Sequence, residues 1–163
     1  MLKPLLSATL MLVSSHTMAS EYDLVAPPAE LDISVPQANC LKAVDVVKNQ
    51  DVALFKSIFY PVAVTDTQVA QHLKITHDKY YTKNHFGIKN FNLAEYANYY
   101  FEDAKNSKNN TVSSEAKRRD HNIQLWIGYH FDSINPQTNK EEGSSGHCRF
   151  ALMEDNWYLL NLL

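Results

Sequence analysis

Histidines are the first side chains of this sequence that could do chemistry. Three of the seven, His72, His77 and His85, lie close together in the chain. Imidazole can serve as a metal ligand and as a general base near neutral pH. Their spacings do not place these side chains on one helical face, which needs positions three or four residues apart. The sequence therefore predicts no metal site and no cofactor.

The candidate nucleophiles also lack a suitable arrangement. Cys148 follows His147, but adjacent residues of a strand point to opposite faces, so the imidazole cannot easily act as a base for the thiol. Ser144 and Ser145 lie within Gly143–Gly146. A nucleophile elbow needs Gly-x-Ser-x-Gly between a strand and a helix, whereas this run has the order Gly-Ser-Ser-Gly and is expected to form a flexible hairpin loop. No catalytic residue is predicted.

The first nineteen residues have the order of a secretory signal peptide. Lys3 precedes an apolar run over residues 5–13, and Thr17-Met18-Ala19 places small residues at the −3 and −1 positions of a cleavage site. The run is shorter than the ~20 residues that span a bilayer as a helix. We therefore expect residues 1–19 to be removed and the protein to be periplasmic or secreted, without a membrane span after cleavage.

Cys40 and Cys148 are the two cysteines of the chain. An even number of cysteines in an exported protein favours a disulfide. Two buried free thiols are the alternative, since cysteine also behaves as a small apolar residue. The oxidising compartment favours the bond, which would connect two distant parts of the chain.

The N-terminal part of the mature chain predicts an extended segment followed by short helices. Residues 20–37 contain three prolines and no sustained period, so one α+β domain is expected over residues 38–163. Asn39 and Asp51 are placed to cap two helices, and Pro61 ends the second. Thr65 and Gln68 fit a capping box for a third helix. Residues 61–64 could form a short strand.

A longer helix is predicted from Asn92. Its apolar positions follow one helical face; they are residues 93, 96, 97, 100, 101 and 104. Tyr96 and Tyr100 should then pack in the core, whereas Tyr99 lies off that face. Residues 105–119 are polar and are expected to form a loop, with Lys117-Arg118-Arg119 as an ordinary charged surface that could touch an acidic partner.

The last forty residues predict three antiparallel strands. Apolar and polar residues alternate through residues 122–131, and a second alternation and an apolar C-terminal run follow. A long polar connection follows the first strand, and turn-like joins make the three strands a meander. One alternating set should face the core: Ile123, Leu125, Ile127, Tyr129, Phe131, Cys148, Phe150 and Leu152. Helices packed on a C-terminal antiparallel sheet define an α+β fold.

Both ends of the mature chain resemble the nuclear transport factor 2-like superfamily. The stretch CLKAVDVVKNQDVALFKSIFYPVAV is similar to its opening pair of helices, and CRFALMEDNWYLLNLL is similar to its closing strands. The resemblance implies a cone of curved sheet wrapped by helices. Enzymes, ligand-binding modules and non-catalytic partner-binding domains share that fold, so the resemblance does not determine the function.

Two functions remain open from the sequence. The first is an exported non-catalytic domain that binds a protein partner, for example a periplasmic inhibitor or immunity-type protein, through Tyr99, Gln124, Trp126 and His130. Tryptophan and tyrosine are enriched at interface hot spots, although Trp126 could equally pack under a helix. The alternative is a small-molecule-binding or enzymatic cone with an internal pocket. A formal charge of −3 argues against nucleic acid as a partner, and the oligomeric state is left open.

Overall fold

The computed structural model describes residues 24–163, and the predicted signal peptide and its cleavage site lie outside them. The fold is α+β, with helices in the N-terminal half and a curled antiparallel half-barrel sheet at the C-terminus. The α-helices are α1 (Ser34–Asn49), α2 (Val52–Ile58), α3 (Asp66–Asp78) and α4 (Asn110–Arg119). The strands are β1 (Lys89–Leu93), β2 (Tyr99–Phe101), β3 (Ile123–Ile134), β4 (Glu141–Met153) and β5 (Asn156–Leu159). No helix in this part of the chain is long and apolar enough to cross a membrane.

The long strand β3 organises the sheet. It pairs with β4 along its whole length, and β4 pairs with β5 at its far end. On the other side of β3, β1 pairs with the C-terminal half and β2 with the N-terminal half. All four pairings are antiparallel, as the predicted meander of β3, β4 and β5 requires.

The concave face of the sheet packs against α1 and α2, and α3 completes the same core by packing on these two helices. Six of the eight residues predicted to face the core are at most 4% exposed; they are Leu125, Ile127, Tyr129, Phe131, Cys148 and Phe150. Ile123 and Leu152 face each other at the end of the β3–β4 ladder and are half-buried, because they border an open cleft there. The orientation of the sheet is therefore as predicted.

A disulfide joins the helical layer to the sheet. Cys40 of α1 and Cys148 of β4 are bonded, with Sγ atoms 2.06 Å and Cα atoms 5.6 Å apart. Neither side chain is accessible to solvent. The predicted pairing is confirmed, and it connects residues 108 positions apart in the sequence.

Of the first three predicted helices, two start where the sequence places them. Asp51 accepts a hydrogen bond from the backbone of Leu54, and Thr65 and Gln68 form the predicted capping box. The first helix begins at Ser34 rather than at Asn39, so it includes part of the segment predicted to be extended, and the Asn39 side chain lies buried inside it. The predicted strand over residues 61–64 is a loop.

The helix predicted from Asn92 is wrong. The same residues form the end of β1, a turn, and β2 followed by a short 3₁₀ turn at Ala104–Asn106. Both strands complete hydrogen-bonded ladders with β3, a long-range pairing that local periodicity cannot reveal. Tyr96, expected in the core, is 91% exposed at the turn.

Two predicted loops are also corrected. Most of the polar stretch 105–119 is α4, capped by Asn109, whose side-chain oxygen accepts hydrogen bonds from Thr111 and Val112. The glycine run Gly143–Gly146 lies within β4 and not in a loop. A Cβ at Gly146 would lie 2.5 Å from the hydroxyl of Tyr129, so glycine is required for the tyrosine ring to cross the strand.

Candidate functional site

The convex face of the sheet carries a second, smaller layer. Helix α4 and the 3₁₀ turn cover it and form a small core. The buried members of this core are Phe101, Ala104, Val112 and Ala116. Gln124, which the sequence placed on a partner-binding surface, lies beneath this layer and is completely buried. It therefore offers no surface to a partner.

Gln124 instead holds three groups together by hydrogen bonds. Its Nε2 lies 3.2 Å from the carbonyl oxygen of Val112 and 2.8 Å from Nε2 of His121, and its Oε1 accepts from the indole N–H of Trp126 at 3.2 Å. A carbonyl can only accept and an indole N–H can only donate, so the orientation of the amide is determined. Gln124 must donate to His121, whose Nε2 is therefore unprotonated.

His121 is consequently a neutral histidine under ordinary conditions. It is 3% exposed, and burial lowers its pKa from 6.5 to about 4, with smaller contributions from Arg119 and Lys105. Protonation of Nε2 would place two donors against each other and break the bond to Gln124. The neutral imidazole is thus part of what holds α4 on the sheet.

Beside this network lies a half-buried cluster that we name the convex aromatic patch: Tyr99, Trp126, His147 and Arg149. Tyr99 faces Trp126 across the β2–β3 ladder, and His147 lies 5.5 Å and 5.6 Å from their rings. The guanidinium of Arg149 lies 5.9 Å from the centre of the Trp126 ring. Burial lowers the pKa of His147, so this cluster is neutral apart from Arg149.

The structure brings three of the four predicted partner-binding residues together, and two of these three reach the surface. Tyr99 and Trp126 are opposite each other and half-buried. His130 is exposed on the same face of β3, four residues or about 13 Å farther along the strand. Gln124 supports Trp126 from below through its hydrogen bond.

An ion cluster next to the patch was not predicted from the sequence. Glu115 of α4 is 8% exposed at its side chain and lies 3.0 Å from Arg149, 3.7 Å from Arg118 and 3.7 Å from Arg119. Arg119 is also largely buried, because its guanidinium lies over the ring of Tyr60. This burial lowers the pKa of Arg119. The i,i+3 and i,i+4 spacing of Glu115 to the two helical arginines was a usable signal, but the prediction of a loop concealed it.

A depression of about 300 Å³ opens over this cluster between α4 and β4. Its lining residues are Thr111, Ser114, Glu115, Arg118 and Arg149. The Arg118 side chain is 67% exposed at the rim and that of Arg149 is 22% exposed. The depression is therefore open to solvent, and it adjoins the convex aromatic patch through Arg149.

One pair inside the concave core has the residue types of a nucleophile and its base. Nδ1 of His85 lies 2.8 Å from the hydroxyl of Ser133, and burial lowers the pKa of the imidazole. The Ser133 residue is only 1% exposed, and the rings of Tyr80 and Phe131 lie 5.5 Å and 5.6 Å from the imidazole. A substrate cannot reach the hydroxyl in this packing, so the pair acts as a buried hydrogen bond.

The remaining histidines do not assemble a metal centre. Within residues 24–163 no group of three histidine, cysteine, aspartate or glutamate side chains is placed to hold a metal ion. His72 is exposed on α3, and His77 stacks on Tyr81 with ring centres 4.8 Å apart.

No protein-family model, curated protein or solved structure matches this chain. The resemblance to the nuclear transport factor 2-like superfamily stays a prediction. The function therefore has to be argued from the two faces of the sheet and the groups that lie on them.

Proposed function

We propose that this chain is an exported, non-catalytic domain that binds a protein partner through the convex aromatic patch. An inhibitor or immunity-type protein is the form of this function that fits a small domain best. The observation that carries the proposal is the environment of Trp126. Its ring is half-buried between Phe101, His147 and Arg149, and its N–H is bonded to a fully buried amide, so it is a rigid aromatic surface.

Rigid aromatic and arginine side chains are the residue types that dominate binding energy at protein interfaces. They lose little conformational entropy on binding when they are already fixed. Trp126 satisfies both conditions, since it is hydrogen-bonded from below, and Arg149 lies beside its ring and 3.0 Å from Glu115. Tyr99 and His147 extend the surface on one side.

The filled concave face supports partner binding over an internal-pocket function. Ile127, Tyr129 and Phe131 occupy the space where a ligand in a cone would lie, and each is at most 4% exposed. The hydroxyl of Tyr129 has its pKa raised by burial, so it is a poor general base in that position.

The disulfide supports the exported location. Disulfides form and persist in oxidising compartments and are rare in the cytosol. The Cys40–Cys148 bond is compatible with an extracellular or periplasmic environment. The bond also fixes β4, which carries His147 and Arg149 of the patch, to α1.

The proposal is tested by capture of partners from periplasmic extract with the purified exported protein. Trp126→Ala and Tyr99→Ser should each reduce capture strongly, because both remove ring contacts of the patch. Trp126→Ala also leaves Oε1 of the buried Gln124 without its donor, so its melting temperature should fall and capture is measured at a temperature at which the variant is still folded. Tyr96→Ser is the matched control, since that tyrosine is 91% exposed and outside the patch.

Two results would refute this function. One is that the wild-type protein captures no partner. The other is that Trp126→Ala unfolds the protein and Tyr99→Ser leaves capture unchanged, because Trp126 would then be a core residue only.

A further inference from the structure

The ion cluster under the convex aromatic patch has an excess of positive charge. Three guanidinium groups, of Arg118, Arg119 and Arg149, surround the single carboxylate of Glu115, which leaves a formal charge of +2 (three minus one). The nearby carboxylate of Asp120 does not offset it, because Lys105 binds that group at 2.6 Å. This basic site lies on a chain whose formal charge is −3.

The cluster also has guanidinium N–H donors that no acceptor within residues 24–163 takes. A guanidinium carries five N–H donors. Within residues 24–163 the Arg118 and Arg149 side chains donate no aligned hydrogen bond, although Nη1 of Arg149 lies 3.0 Å from Glu115. Arg119 uses its Nη2 on the carbonyl oxygen of Leu160, and its Nε and Nη1 have no acceptor. The exposed donors, those of Arg118 and Arg149, border the depression.

We propose that this depression receives an acidic segment of the protein partner, with Arg118 and Arg149 binding its carboxylates and Trp126 packing against the adjoining apolar part. The inference rests on the proposed function and adds the chemistry of the partner. Arginine binds carboxylates in a planar, often bidentate geometry, which is stronger and more directional than a lysine contact. The volume of about 300 Å³ accommodates one or two side chains rather than a folded ligand.

The buried carboxylate of Glu115 has a positioning role in this site. It lies under Arg149 and between the two helical arginines, so it limits where their guanidinium groups can go. A partner carboxylate that binds from solvent completes the charge balance that Glu115 alone leaves open. In the free protein the Arg149 side chain is already largely shielded from water, with 22% exposed, whereas the Arg118 side chain is 67% exposed.

The test uses a hexaglutamate peptide and the exported protein with its disulfide intact. NMR signals of the arginine Nε–H groups report binding directly. We expect hexaglutamate to shift the signals of Arg118 and Arg149, and neutral hexaglutamine to shift neither. Arg118→Gln should weaken hexaglutamate binding about two- to fivefold, the loss expected for one ion pair at a side chain that is 67% exposed.

Lys117→Gln is the matched control, because it removes the same charge one residue away on an exposed side chain. Equal weakening by Lys117→Gln and Arg118→Gln would overturn the proposal, since the effect would then be general electrostatics. Failure of hexaglutamate to bind would also overturn it. Tighter binding of inorganic phosphate or of a short DNA strand than of hexaglutamate would assign the depression to a different class of ligand.

The native partner separates this inference from the proposed function. If the wild-type protein captures a partner and Arg118→Glu captures it equally well, acidic recognition is refuted and partner binding stands. If Arg118→Glu loses the partner while Lys117→Glu retains it, both are supported. If the wild-type protein captures nothing, both fall together, whatever hexaglutamate does.

Discussion

Acid should weaken the attachment of α4 to the sheet through one histidine. His121 is buried and must be neutral to accept the hydrogen bond from Gln124. Its pKa is lowered by burial to about 4 in the folded protein, against 6.5 for an exposed histidine. Between these two values the unfolded chain binds a proton that the folded chain excludes, so stability falls as the pH falls.

The size of this effect follows from the two pKa values. One pKa unit corresponds to about 1.4 kcal/mol, so the difference between 6.5 and about 4 gives a total of about 3 kcal/mol. The contribution is fully present above the unfolded pKa and is lost as the pH falls toward the folded one. Between about pH 7 and about pH 4.5 the loss assigned to His121 is about 2 kcal/mol.

Urea unfolding at these two pH values measures the loss. Replacement of His121 by glutamine keeps an acceptor for Gln124 and removes the titration, so the variant should lose about 2 kcal/mol less than the wild type on acidification. His130→Gln is the matched control, because His130 is exposed on β3 and lacks these contacts. Equal acid sensitivity of wild type and His121→Gln would refute the assignment of a neutral, buried His121.

Three further predictions concern the main core. Replacement of both Cys40 and Cys148 by alanine should reduce the free energy of unfolding by about 4–5 kcal/mol, the value of the chain-entropy model for a loop of 108 residues. Urea unfolding measures this loss, and a loss below about 1 kcal/mol would contradict the model. Gly146→Ala should cost about 1–3 kcal/mol through its clash with Tyr129, and a variant with wild-type stability would show that the ring can move aside. Ile127→Asp should leave no cooperative melting transition, because it buries an unpaired carboxylate; a retained transition near the wild-type temperature would contradict the sheet orientation.

The main core was predictable because apolar contacts form it. Alternation along β3 and β4 identified the concave face, and the compartment argument identified the Cys40–Cys148 bond. Capping chemistry located two helix starts, since Asp51 and Thr65 bond only to residues three positions away. Each of these signals is either local or repeated along one strand, so a single sequence contains it.

The failed helix at Asn92 shows what a single sequence does not contain. Its apolar spacing is compatible with a helix, but β1 and β2 exist because β3 offers two unpaired stretches of edge. Gly128 makes the turn between them possible, since a Cβ there would lie 2.9 Å from the carbonyl oxygen of Ala97. A close approach across 31 residues leaves no mark on the local pattern.

The missed helix α4 has a different physical cause. Its buried face contains two apolar side chains, Val112 and Ala116, one turn apart, and the rest of its burial is polar. The local signals were the Asn109 cap and the basic residues of the last turn, which are favourable at a helix C-terminus. A prediction that relies on apolar residues to mark buried surface therefore assigns such a segment to an exposed loop.

The polar contacts that concealed α4 in the sequence also support the binding surface that we propose. The concave core is mostly apolar, and the buried polar groups His85 and Ser133 bond to each other inside it. The layer around α4 depends on an amide, an imidazole and a four-member ion cluster, and arginine donors remain unused where it meets β4. Because α4 is held by polar contacts, it buries less apolar surface than a core helix does. The same polar contacts place directional donors beside the patch, where we propose that the partner binds.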